Sequence, residues 1–295
     1  MAVGAMALTV VAVLAACGSQ TAGPAGSAPA QTSESASPTS SVVDLDREVA
    51  ARGMLMQTSS TADVELCLGA VQTSYPPGCG GPRVVGKVDW EALEAESAAG
   101  RTWSSGDVWA VGHLDPDAGT AGTLTLTRPL STTPPEGLTP PPQLTSPRFP
   151  QLCDDPYAGG GRPGGGTTDT QNALAEQLPT LEGYVGSWVS DGSSVFNVLV
   201  TGDATAARDT LRETWKGGLC VQQRDLPTEK DVRAAQDALS SLPGLLSSSG
   251  NAPEGRLEVE VVVLDAATLD RVLASVRPWL DADQVRVRSA FTALP

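Results

Sequence analysis

The side chains able to do chemistry in this chain are few and scattered: one histidine, His113, five cysteines, and close aspartate pairs such as Asp115 with Asp117 and Asp154 with Asp155. A Ser-His-Asp system would have to use His113, which lies in a segment with strand periodicity, and no Gly-x-Ser-x-Gly elbow presents a serine to it. A structural or surface histidine is the simpler reading. Asp115 and Asp117 in LDPDAGTAG begin like a calcium loop, but Gly119 stands where another oxygen ligand is needed and no terminal Glu follows. A turn between two strands accounts for the same residues. Asp154 and Asp155, beside Cys153, fit general acid-base work or a polar loop equally well. The two glycine clusters of residues 151–168 (QLCDDPYAGGGRPGGGTT) lack the Gly-Lys-Ser/Thr ending of a phosphate-cradling loop, so they read as a flexible loop. No catalytic residue, metal site or cofactor is expected, and the chain reads as a protein that is not an enzyme.

The cysteines carry the clearest signal. Cys17 follows the apolar stretch Ala2 to Leu14, and the run Leu14-Ala15-Ala16-Cys17 resembles the lipobox that ends a bacterial lipoprotein signal peptide. The stretch is shorter than the roughly 20 residues of a membrane span, and small residues before the cysteine suit processing. The resemblance implies loss of residues 1–16, acylation of Cys17 on its thiol and amine, and a protein anchored by lipid at the outer face of the cytoplasmic membrane. No Lys or Arg precedes Arg47, a departure from the charged n-region such signals carry. Residues 17–42, built mainly from Ser, Thr, Ala, Pro and Gly, cannot bury enough apolar surface to offset ordering entropy and read as a disordered tether.

With Cys17 assigned to lipid, Cys67, Cys79, Cys153 and Cys220 remain, an even number in an exported chain. Two disulfides follow, with three possible connectivities. The favoured pairing is Cys67 with Cys79 and Cys153 with Cys220, one bridge on each side of the proline-rich stretch Pro129 to Pro150. Metal binding would need clustered ligands, and neither Cys-x-x-Cys nor a histidine cluster occurs.

Composition narrows the partners. The formal net charge is −15 and no basic run is present. Nucleic acid and anionic lipid surfaces, both of which require Lys and Arg, are therefore not expected partners. The proline-rich stretch reads as a stiff connector, residues 131–150, between a domain at 43–130 and a domain at 151–295.

Strand periodicity marks residues 53–58, 64–70, 83–88, 107–114 and 123–128, and DWEALEAESAA (Asp89 to Ala99) reads as a short helix after the third strand. Five short strands with that helix give the order of a small OB-like β-barrel. Trp90, Trp103 and Trp109 read as core rather than as a ligand platform. From Thr168 the pattern changes. A capping box at Thr168 and Gln171 opens a helix to Leu178, and a hairpin joins Tyr184–Val189 to Val195–Thr201 through Asp191-Gly192. Helices capped by Asp203, Thr228 and Asp265 then alternate with strands at 219–223, 257–264 and 284–289. Hairpin and helix-strand units together imply an α+β sandwich with helices on one sheet face.

The segments ELCLGAVQTSYPPGCGGPRVVG, CDDP, YVGSWVSDG and LEVEVVVLDAATLDRVL resemble those of uncharacterised exported actinobacterial lipoproteins, which bring no activity to carry over. The order of elements after Tyr184 also resembles, faintly, secreted serine protease prodomains. The expectation is a lipid-anchored, non-enzymatic binding or accessory protein of the cell envelope, holding a peptide, protein or envelope component. The alternative is an envelope hydrolase that works through carboxylates.

Overall fold

Each of the five barrel strands expected between residues 53 and 128 forms, though their ends shift by a few residues. The computed structural model describes residues 41–69, 74–119, 121–139, 149–192 and 194–295. In it the first part of the chain is β1 (Val49–Gln57), β2 (Val64–Cys67), β3 (Arg83–Val85), β4 (Glu96–Ala98), β5 (Arg101–Trp103), β6 (Val108–Asp115) and β7 (Thr123–Leu126). The ring β1-β2-β3-β7-β6 closes on itself, because β1 pairs with β2 through Met54–Gln57 and with β6 through Val49–Gly53. Only the β3–β7 pair in the ring is parallel. Gly53 stands at the changeover, where an added Cβ would strike the carbonyl oxygen of Cys67. Closure removes the free edges an open sheet would leave. Leu55, Leu66, Ala110 and Leu124 fill the interior with no exposed surface.

The helix expected at Asp89 to Ala99 is not formed. Residues 90–93 are turn, Glu94 has a φ of 48°, and the last residues are β4, paired antiparallel with β5. The Ala- and Glu-rich sequence has helix propensity, but propensity is a weak prior and the hairpin pairing overrides it. Ala99 and Gly100, both at positive φ, make the turn, as a two-residue hairpin loop requires.

The second part is a mixed α+β region. It runs α1 (Thr168–Gln177), β8 (Tyr184–Val189), β9 (Val195–Val200), α2 (Ala204–Thr214), β10 (Gly218–Gln223), α3 (Glu229–Leu239), β11 (Leu245–Asn251), β12 (Arg256–Val261), α4 (Ala266–Val276) and β13 (Val285–Ser289). These strands do not form the single sheet expected. They divide into β10-β9-β8 and β11-β12-β13. The extra element is β11, LLSSSGN, whose Ser, Gly and Asn residues read as loop. It becomes a strand by hairpin pairing with β12, since strand preference is set largely by neighbours.

The two sheets are copies of one unit. Each is helix, strand, antiparallel strand, helix, parallel strand: α1-β8-β9-α2-β10, then α3-β11-β12-α4-β13. One offset of about 60 residues relates Thr167 to Thr228, Leu178 to Leu239, Leu181 to Leu242, Gly183 to Gly244 and Ser187 to Ser248. Thr167 and Thr228 both cap helices through capping boxes, Leu178 and Leu239 are both buried, and Gly183 and Gly244 are both at positive φ. The α1 cap is thus Thr167 with Thr170, one residue before the expected Thr168 with Gln171.

All described residues lie within one compact unit, Pro38–Pro295. The proline-rich stretch separates two architectures, but the core runs across it: Val262, Val263 and the fully buried Phe291 join the barrel interior. The short β14 (Thr292–Ala293) pairs with the start of β1, and the Val43 N–H donates to the Leu264 carbonyl.

Candidate functional site

The groups singled out by type do not converge. His113 is exposed on β6. Asp115 accepts a hydrogen bond from the Asp117 N–H at 3.1 Å, and Asp155 accepts one from the Tyr157 N–H at 2.9 Å. Both aspartates therefore hold exposed turns. Trp103 and Trp109 are buried and Trp90 packs partly buried on the barrel core. Cys67 is bridged to Cys79 and Cys153 to Cys220, each pair with Cα atoms 5.5 Å apart, which is the favoured pairing. Cys17, with the signal and most of the tether, lies outside the described residues. Among the described residues no His, Cys, Asp and Glu group gathers as metal ligands would, and no helix is long and apolar enough to cross a membrane.

The glycine-rich loop turns out to be clamped. Arg212 of α2, 4% exposed, donates from Nε and Nη2 to the Ala158 carbonyl, from Nη2 to Pro156 at 2.7 Å, and from Nη1 to Gly217 at 2.6 Å and Trp215 at 3.3 Å. Burial pushes the guanidinium pKa down, nearby Arg208 lowers it further, and Asp155 opposes them. Gly166 lies against the Trp215 ring, where a Cβ would collide. The Cys153–Cys220 bridge ties the same loop to β10. Gly161, Gly165 and Gly166 thus serve close packing, while Gly160 and Gly164 stand in open space at positive φ.

What the fold does bring together is a cleft of about 540 Å³ between the two copies. One wall is residues 184–187 of β8, the other is residues 250–252 at the end of β11, and α3 supplies Glu229, Val232, Arg233 and Asp237. The copies touch nearby, where a Cβ on Gly186 would meet that of Ala252 at 2.4 Å and no larger residue fits. The Tyr184 hydroxyl bonds the Ser187 hydroxyl at 2.8 Å; burial pushes the phenol pKa up, Ser187 acts the other way and Glu229 adds to the rise. Arg233 pairs with Glu229 one turn before it, and this bond, with Asp237 one turn after, raises its pKa. On the far wall Asn251 donates to Glu258 at 3.1 Å, and Arg256 lies 3.8 Å from Glu254. The cleft therefore offers hydroxyls, amides, bare main chain and a charged row. It can hold a polar ligand by hydrogen bonds, while its two cations, Arg233 and Arg256, are already matched by acids.

None of these cleft residues sits in a motif. The signal that could have found the cleft is the repeat itself, since a seam between copies appears once Thr167, Leu178 and Gly183 are laid over Thr228, Leu239 and Gly244. No family model matches the chain, and no curated protein matches it either.

Proposed function

We propose that this is a lipid-anchored, extracytoplasmic binding or accessory protein of the cell envelope, tethered through Cys17 at the outer face of the cytoplasmic membrane and acting without catalysis. The observation that carries the binding role is the cleft between the repeat copies, with its hydrogen-bonding walls. Two disulfides fit an oxidising compartment. We read the barrel as OB-like, from its closed five-strand ring with β3 parallel to β7. The net charge of −15 favours partners other than nucleic acid. The hydrolase alternative has less support: Glu229 and Asp237 share the cleft, but eight residues of helix set their Cα atoms roughly 12 Å apart, and Glu229 is engaged by Arg233 between them. Glycosidic carboxylate pairs stand about 5 to 10 Å apart.

A photoreactive amino acid at Asp237, in the cleft, compared with one at exposed Ser249 of β11, tests the binding role in intact cells. We expect a discrete adduct from position 237 and none from 249. Equal labelling at both, or none at 237, would refute a role for the cleft. For the anchor, Cys17→Ala should move the protein from the detergent phase to the aqueous phase on phase separation. Identical partitioning of the two forms would exclude lipidation.

A further inference from the structure

The walls of the cleft are unusual in being lined by consecutive residues, 184–187 and 250–252. Successive side chains of a regular strand point to opposite faces; a bulge between Tyr184 and Gly186 interrupts that alternation, and beyond it Gly186 and Ser187 both reach the cleft from the edge of β8. In β8 that edge is unpaired. Its ladder runs to β9 alone, and the Ser190 N–H donating to the Val195 carbonyl sets the alternation. Counting back from that pair, Trp188 faces β9, and the main-chain N–H and C=O of Ser187 point outward into the cleft. Among the described residues nothing bonds them.

The second copy supplies a comparison within the same molecule. Ser248 is the counterpart of Ser187, and its carbonyl is capped by the Gln236 side-chain amide at 2.9 Å. The residue of the first copy that matches Gln236 is Ala175, which has no amide to offer. One outward carbonyl of the second copy is thus capped by its own helix, and its counterpart on Ser187 is left uncapped beside the cleft. The charged side chains lining the cleft balance, Glu229 and Asp237 against Arg233 and Arg256, but Glu254 beside Arg256 leaves Asp237 as the carboxylate in excess, and the whole chain is at −15. That field attracts cationic partners.

Resting on the binding role above, we infer that the ligand is an extended, basic peptide segment that adds as a fourth strand to the free edge of β8, its main chain bonded to Ser187 and its positive charge facing Asp237. Strand addition draws affinity from main-chain bonds and specificity from alternate side chains. The apolar positions of such a peptide meet Val232 and Ala252, and its basic positions meet Asp237.

The test uses the chain from residue 18 with both disulfides formed, and the octapeptide (Lys-Val)4 as probe. We expect calorimetric binding at low salt, slowed hydrogen exchange at the Ser187 amide, and at least about tenfold weaker binding for the fully N-methylated peptide, which has lost its donors. Ser187→Pro removes the outward N–H without touching the ladder and should weaken binding to the same degree. Asp237→Asn should weaken binding about two- to fivefold, and added salt should do likewise. Undiminished binding of the N-methylated peptide overturns strand addition, whether or not the proline variant folds. Failure of (Lys-Val)4 to bind while the position-237 adduct still forms overturns the peptide and leaves the binding role standing. Failure of both removes both.

Discussion

Arg212 spans what two separate stretches of chain need, since its guanidinium donates to carbonyls of residues 156 and 158 and of residues 215 and 217, and to no carboxylate. Lysine at this position keeps the charge but loses the planar fork, leaving buried carbonyls without donors. Arg212→Lys should cost about 2 to 4 kcal/mol, which in a domain of this size lowers Tm by roughly 4 to 16 °C on thermal unfolding. An unchanged Tm would mean that water serves those carbonyls equally well. This residue was not legible in the sequence, because arginine is by default a surface residue and its partners here are main-chain atoms, which have no sequence identity. The cysteines were legible for the opposite reason. Their chemistry is restricted to a few outcomes, and an even count on each side of the proline-rich stretch left little freedom.

At the level of elements, helix starts were readable wherever one residue alone could cap: Asp203, Thr228 and Asp265 accept from the first-turn N–H groups as expected. The run Thr167-Thr168-Asp169-Thr170 offers several candidates, and only geometry chooses Thr167. Thr167→Ala should therefore cost about 1 kcal/mol and Thr168→Ala only a few tenths, measured by chemical denaturation. The reverse ranking would return the cap to Thr168. β11 escaped notice because its pairing partner, rather than its own composition, makes it a strand. Once it is counted, the second half of the chain resolves into two equal units, and the cleft becomes a consequence of stacking them. The N-terminal strands were legible because alternation is a local property, and the β4–β5 hairpin was not because Ala and Glu suggested helix.

Over the whole molecule, composition marked the change of architecture near Pro129 to Pro150 but could not reveal that the barrel core is finished from the far end of the chain. Phe291 is fully buried among barrel residues. Phe291→Ala should destabilise by about 3 to 5 kcal/mol through lost transfer energy and the cavity left behind. A fragment of residues 43–139, lacking Val262, Val263, Phe291 and β14, should show poorly cooperative unfolding by circular dichroism. Cooperative unfolding with the Tm of the whole protein would mean that the barrel is self-sufficient.

The seating of Thr292–Ala293 on Val49–Ala50, with the Leu294 N–H on the Glu48 carbonyl, also bears on the order of events in time. A chain made from its N-terminus has its first strands waiting longest. Residues 49–57 emerge early, yet one neighbour, residues 292–293, and the core residue Phe291 come much later, so the ring of β1, β2, β3, β7 and β6 can pair long before its core is filled, while the repeat copies are built from nearby segments. Capture of residues 291–294 then fills the barrel core and joins its first strand to the second half of the described chain. A passage that carried the chain unfolded would meet no barrel with a filled core until residues 291–294 were through.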